Sequence, residues 1–454
     1  MTAAPRRDGA LVASAAAVLY LLLLQDRFYG ADGHVLLQMA VRGADVHERH
    51  LLYLPAARAA LALLAPLGVT PFRALEVLSA VATALGVFVL HRTAARCGHP
   101  RAAAAVAAVG CAVLPVTLFF ATTIEVHGLF FLPAALAWYA AARCAARPVA
   151  WTGCALGAAC ALAGCTHASG HAMLFLLVPV VALQRGVRAA VRPALAAGAV
   201  HAAFLAALSL ARPRHGDAWR WLPDAAERLS FVAHVPEYFC FEYLLPTLPF
   251  GAVALAGAVW RPDRFAVAHA VVVVAYSWAV VGVLIGLREF GAYAVPLVWP
   301  AVHLAVRRCG ARRSAWLAAL AAAAAIGGQR WWDTRPERAV DVAAVARLAA
   351  DGPTTLLVAG SDEADPVLRA LPHVAVVILP VAYLAYPGTE AEVADRVAFA
   401  LDLLLQNGQR VFMTETALAE FARTMPGAAA EVRARLRFTA VVLDGLRVER
   451  IERP

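Results

Sequence analysis

Apolar runs long enough to cross a bilayer alternate along this chain with polar gaps, and the gaps are of two kinds. A helix needs about twenty mostly apolar residues to span the hydrocarbon core. Runs of this type lie near 9–25, 75–91, 103–121, 129–143, 149–165, 171–185, 194–211, 239–260, 266–287, 291–306 and 314–330. One set of gaps is rich in arginine: Arg6 and Arg7, then 92–101, 143–147, 185–192, 261–264 and 307–313. The other set holds nearly all the acids and histidines suited to chemistry: 26–50, Glu125-Val126-His127, 167–171, 217–242 and Arg288-Glu289. Short basic loops stay in the cytoplasm, so the second set faces outward and any reaction belongs there. About eleven spans from an inside N-terminus leave the C-terminus outside.

Two outward gaps are long. The first, 26–73, contains patterned stretches at 34–41 and 50–67, the latter ending in Pro66, Gly68 and Pro71. These predict helices lying at the membrane surface or dipping into it. The second, 212–238, sets Trp219, Trp221 and Phe231 among charges, the composition of an interfacial element. After Trp331-Trp332 the pattern becomes that of a soluble domain. Buried strands are predicted at 354–360, 374–380 and 410–414, helices at 362–371, 389–406 and 415–423, and paired strands at 438–443 and 446–451. The predicted fold class is therefore an α-helical polytopic membrane protein with a small C-terminal α/β extracytoplasmic domain. Residues 1–330 form the membrane domain, with the long first outer loop 26–73, and residues 331–454 form the soluble one.

Composition agrees with this division. The chain is 62% hydrophobic and 16% charged, with a mean hydropathy of +0.67, more apolar side chain than a water-soluble domain can hide. All 40 basic residues are arginine, which reads as the codon bias of a GC-rich bacterial genome. The net charge of +9 follows from the cytoplasmic loops near anionic headgroups, and no basic stretch interleaved with aromatics suggests nucleic-acid binding. The eight cysteines show neither a disulfide framework nor zinc spacing. No polar cleavage region follows the first apolar run, which passes into Gln25-Asp26-Arg27-Phe28. An uncleaved signal anchor is the expectation, in a bacterial inner membrane.

The first outer loop opens Asp26-Arg27-Phe28-Tyr29-Gly30-Ala31-Asp32-Gly33-His34. A first span, an acid early in a long outer loop and amphipathic loop helices together resemble the GT-C-type polyprenyl-phosphate-sugar glycosyltransferases. Residues 30–40, followed by Val46-His47-Glu48-Arg49-His50-Leu51-Leu52-Tyr53, are similar to the start of the protein O-mannosyltransferase-like branch. That branch carries an acidic Gly-Asp-x-Gly-Glu stretch and then His-Pro-Pro-Gly-Tyr-Pro-Leu-Tyr. This chain keeps Asp32-Gly33, has His34 where glutamate is usual, and lacks the Pro-Pro-Gly. Thr122-Thr123-Ile124-Glu125-Val126-His127 resembles the second outer loop with its Glu-Val-Tyr motif. Thr166-His167 resembles a third loop with a histidine, and Arg288-Glu289-Phe290 a late loop with an arginine.

The resemblance implies sugar transfer from a polyprenyl-phosphate-linked donor to an outer glycan, lipid or protein acceptor. Inverting transfer needs a carboxylate to take the acceptor proton while an anionic phosphate leaves. By resemblance Asp32 is that base, with Asp26 as the second candidate; the alternative is that Asp32 caps a helix beginning near Gly33. Glu125 lies in a short loop at the membrane surface, where an unpaired charge is costly, and is either functional or an exposed loop acid. With Asp32 and His127 it could hold a divalent cation on the donor phosphate; oxygen ligands suit Mg²⁺ or Mn²⁺, imidazole suits Zn²⁺. His34, His127 and His167 are candidate substrate-binding residues. The pairs His47/His50 and His167/His171 have helical spacing, which fits metal ligands or hydrogen-bonded interfacial histidines. Arg288 either snorkels to headgroups or binds phosphate through its planar fork.

Two rival functions remain at this point. A transporter calls for repeated halves, Gly/Pro-broken spans and midplane charges, whereas here charges gather at the outer edge and no repeat stands out. A membrane assembly protein has no need of an acid in the first loop.

Overall fold

The computed structural model describes residues 4–28, 30–43, 50–211, 239–260, 291–333, 340–384, 388–444 and 446–454, with isolated positions between 262 and 276. Side chains of residues 4–6, 30–32, 330–333 and 382–384 are outside that description. The chain divides into two compact units. The first comprises Met1–Gln25, Asp45–Ala60 and Glu76–Asp333; the second comprises Asp26–Ala44, Leu61–Leu75 and Thr334–Pro454.

The first unit is helical. It contains α1 (Ala4–Leu22), most of α3 (Tyr53–Leu64) and of α4 (Pro71–Arg96), α5 (Arg101–Val113), α6 (Pro115–Ala121), α7 (Val126–Ala146), α8 (Ala150–Thr166), α9 (Met173–Arg185) and α10 (Val187–Ala211). After the undescribed 212–238 come a π-helical turn Phe239–Leu244, α11 (Phe250–Trp260) and α12 (Val298–Asp333). Among the described residues, four helices are long and apolar enough to cross a membrane: Pro71–Arg96, Val126–Ala146, Ala168–Arg185 and Val187–Ala211. Two bent pairs raise the number to six.

The run expected at 103–121 is bent by 63° between α5 and α6, and that at 239–260 by 108° before α11. Proline explains both breaks: Pro115 and Pro249 have no N–H to give to the preceding turn, and each disfavours helix in the residue before it. The runs expected at 291–306 and 314–330 emerge as a short 3-10 turn, Ala292–Leu297, and the kinked α12. The kink lies at Gly310, whose φ of 71° only glycine adopts readily. Small residues let helices touch backbone to backbone, as in membrane interfaces generally. Gly153 and Gly157 on α8 face the Pro193 and Ala197 carbonyls of α10, which an added Cβ would meet at 2.1 and 2.3 Å.

The second unit is an α/β layer. Its strands are β1 (Thr354–Val358), β2 (Ala375–Ile378), β3 (Arg410–Thr414), β4 (Arg437–Leu443) and β5 (Leu446–Glu452), in the order β2-β1-β3-β5-β4. The first three pair in parallel and the last two antiparallel. Every residue of β1 is buried, as a central strand covered on both faces requires. The core joins Leu357, Val411 and Met413 to Val393, Val397 and Leu401 of the helix Glu390–Gln406 and Phe421 of Glu415–Thr424.

The helix α2 (Gly30–Arg42) belongs to this unit, although 331 residues separate its His34 from the partner Asp365.

Candidate functional site

The first unit gathers ionisable side chains where α6 gives way to α7. Thr122 ends α6 by turning its hydroxyl back to the Leu118 carbonyl (2.9 Å), and it receives the amides of Gln25 (3.1 Å) and Gln329 (3.0 Å). Three segments thus fix one turn. The chain then runs extended into Glu125 (φ −153°, ψ 151°), the N-cap of α7, whose carboxylate accepts the Val126 N–H at 3.1 Å. A helix N-terminus favours negative charge, which helps a carboxylate only 5% exposed persist there.

His127 follows on the first turn of α7, its Nδ1 3.6 Å from the Glu125 carboxylate. His167 closes α8, and its ring lies 4.7 Å from that of His127. The Ser169 N–H donates to His167 Nδ1 at 3.3 Å, so the neutral ring carries its proton on Nε2. His50 stacks on His167 (5.1 Å, 17°), and the chain beside it is pinned where the Leu52 N–H donates to the Cys165 carbonyl. Tyr293 closes the group, 5.9 Å from His127 and 5.6 Å from His167.

Tyr53 completes the cluster. Burial pushes its phenol above the ordinary range and the neighbouring Glu125 charge pushes it further, so it stays a protonated donor. The Tyr53 hydroxyl, the Thr123 hydroxyl and both His127 ring nitrogens are buried without a hydrogen-bond partner in the protein. Buried polar groups are nearly always satisfied, and leaving one unmade costs roughly 1–3 kcal/mol. Their concentration around Glu125 marks a place completed by a polar ligand or water. The same holds for Arg58 on α3, whose Nε and one terminal nitrogen are buried and unpartnered.

Other sequence candidates stand elsewhere. His34 turns its Nε2 to Asp365 at 2.6 Å within the second unit, both side chains about 3–4% exposed. Asp26 is exposed and paired with Arg73, and its carbonyl accepts from Arg369. Asp32 lies on α2, but its side chain is outside the described residues, as are His47, Arg288 and Trp219 and Trp221. His171 pairs with His201 (3.1 Å) rather than joining His167. Among the described residues no three His, Cys, Asp or Glu side chains converge as metal ligands. The described part of this cluster holds one carboxylate among three imidazoles, while Asp32, the second acid expected beside a cation, is outside the described side chains.

Tyr53, Thr123 and Arg58 were not singled out from sequence. Arg58 carried a usable signal: it is the sole charged residue between positions 51 and 72, in a gap on the side where topology does not call for arginine.

No family model and no curated protein matches the sequence. Solved structures do match. ArnT from Cupriavidus metallidurans, solved bound to undecaprenyl phosphate, aligns over 97% of this chain and 97% of its own, with a TM-score of 0.60 and 14% identity. The same protein in its apo state gives 0.59 at 14% identity over the same shares. The arabinofuranosyltransferase AftD from Mycobacteria gives 0.54 at 17% identity, over 99% of this chain and 40% of AftD. The fold is similar to those of ArnT and AftD. Within this frame the cluster occupies helix ends: Glu125 caps α7, His167 caps α8, and His50 precedes α3. At such low identity the likeness speaks for the fold, and the chemistry has to be argued from these residues.

Proposed function

We propose that this chain is a membrane glycosyltransferase that moves a sugar from a polyprenyl-phosphate-linked donor to a glycan, lipid or protein acceptor at the outer face. The observation that carries the reading is the set of unsatisfied donors around Glu125: the Tyr53 and Thr123 hydroxyls and the His127 ring. Donors left unmade in a buried place suit an anion, and a leaving phosphate gathers negative charge as the bond to the sugar breaks. The GT-C-like fold supports it, as does the undecaprenyl phosphate held by ArnT.

In this reading the acceptor oxygen attacks the anomeric carbon, its proton passes to a carboxylate, and the lipid phosphate departs with the bonding electrons. Asp32 is proposed as the base, following the family's first-loop acid. Glu125 and His127 orient the donor, His167 presents its Nε2–H, and Arg288 neutralises phosphate. A transporter is the alternative; it calls for repeated halves, and no repeat stands out in the sequence.

The test uses purified full-length chain in nanodiscs with a panel of undecaprenyl-phosphate-linked hexoses and pentoses and an envelope extract as acceptor, reading undecaprenyl phosphate release. Glu125→Gln and Asp32→Asn are each expected to lose about 10²- to 10⁴-fold in turnover. Wild-type release from both variants would remove the enzymatic reading.

A further inference from the structure

The helix presumed to bear the base is gripped along one stripe. His34, Gln38 and Arg42 recur at four-residue intervals on α2 and so share a face. All three reach the C-terminal domain. His34 Nε2 meets the buried Asp365 carboxylate at 2.6 Å. The Gln38 amide donates to the Val376 carbonyl at 2.9 Å and accepts the Val376 N–H at 3.2 Å. Arg42 donates to the His373 carbonyl at 3.3 Å.

Val376 belongs to β2, the edge strand, so Gln38 supplies the pairing that an edge otherwise leaves open. A two-point amide contact fixes the helix along its axis as well as in rotation. Phe28 packs on the His34 ring at 4.3 Å and on Phe72 at 4.8 Å, anchoring the start of the segment. Position 32 lies on the same helix, two residues before His34.

We propose that His34, Gln38 and Asp365 are positioning residues: the C-terminal domain sets the register and rotation of α2 and thereby fixes where Asp32 stands. The domain then bears on catalysis through the helix that it holds. This rests on the reading of Asp32 as the base. A slip of the helix against β2 moves position 32 by an ångström or more, and a misplacement of about 1 Å lowers turnover on the order of 10²-fold.

The experiment measures kcat and donor KM for His34→Ala, Gln38→Leu and His34→Gln in the nanodisc assay, with the best donor of the panel, alongside amide hydrogen exchange of α2. His34→Ala and Gln38→Leu are expected to lower kcat about 10²-fold with donor KM changed less than about threefold, and to speed exchange in α2. His34→Gln, which keeps an N–H donor for Asp365, is expected to recover most of the loss. A purely structural role would reduce the yield of folded chain and leave kcat per folded molecule intact. Wild-type kcat in both disrupted variants, with Asp32→Asn inactive, overturns the inference and leaves sugar transfer standing. Wild-type kcat in Asp32→Asn removes the base and the inference with it. Should His34→Ala not fold, Gln38→Leu decides, since it removes only neutral, part-buried contacts.

Discussion

Gly128→Ala tests whether the first turn of α7 sets the chemistry. A Cβ at Gly128 would stand 2.4 Å from the Phe120 carbonyl oxygen and 2.7 Å from Ser79 Cβ, whereas ordinary contact begins at 3.4 Å. The carbonyl is backbone and cannot rotate aside, so the turn has to retreat by 3.4 − 2.4, about 1 Å. The Thr83 hydroxyl, which donates to the Gly128 carbonyl at 3.1 Å, resists that retreat. Overpacking of this kind costs roughly 1–3 kcal/mol, enough to lower the thermal midpoint without unfolding the chain. Glu125 and His127 ride on the same turn, and a 1 Å displacement of positioning groups costs on the order of 10²-fold in rate. Gly198→Ala on α10 is the control, because no atom beyond its own stretch of helix lies within 4 Å of its added Cβ. The assay is undecaprenyl phosphate release per folded molecule, with folded fraction taken from size-exclusion of the nanodisc sample. Equal turnover in Gly128→Ala, Gly198→Ala and wild type would refute the placement of chemistry at this turn.

Three further outcomes are expected. Tyr53→Phe removes a buried hydroxyl that no protein group satisfies, so the thermal midpoint should hold or rise while turnover falls. Because burial and the Glu125 charge both hold the phenol above its ordinary range, wild-type activity should show no alkaline limb near pH 10 that disappears in this variant; such a limb in the pH profile would contradict the assignment. Arg58→Met should not destabilise the chain in zwitterionic nanodiscs, since no partner is lost, yet it should weaken binding of undecaprenyl phosphate by about tenfold or more; unchanged binding in a titration would refute a phosphate role. Thr389→Ala removes an N-cap that accepts the Glu392 N–H, costing about 1 kcal/mol by thermal melt. The Thr389 N–H and hydroxyl also hold the Glu392 carboxyl below its ordinary range. That contribution is present above the unfolded-state pKa and lost as pH falls through the folded one. Thr389→Ala keeps the backbone N–H and removes only the hydroxyl, so it should lessen the acid sensitivity of the domain in part.

Where local pattern suffices, sequence was a good guide. The strands expected at 354–360 and 410–414 are observed at Thr354–Val358 and Arg410–Thr414. The helix Glu390–Gln406 starts at a Thr389/Glu392 capping box that is visible by eye. Hydropathy fails where the backbone bends without losing apolar character. Pro115 and Pro249 lie inside runs that read as continuous spans, and the 63° and 108° bends follow from missing N–H groups that a hydropathy window does not weigh. The short helix Val342–Ala350 was not anticipated, although Asp341 caps it and Ala344, Val345 and Leu348 make one buried face.

The candidate site divides along a different line, between what a residue is and what it meets. Glu125 and His127 were legible because charge and imidazole stand out in an apolar loop, and His167 likewise; the structure brings these three together. Tyr53 was illegible because a tyrosine among Leu51, Leu52 and Leu54 reads as one more apolar position until its hydroxyl is found without a partner. His34 shows the deeper limit. As sequence it is a histidine in the place of a familiar glutamate, which suggests a substrate contact. Its partner lies 331 residues away, and no local pattern announces a long-range pair. Yet the distant contact explains the substitution better than a substrate does: a glutamate at position 34 would set a second carboxylate against buried Asp365, where like charges at this distance cannot both remain ionised. Asp365→Asn combined with His34→Glu should then fold where His34→Glu alone does not, and comparable folded yield from both would show that the pair is incidental.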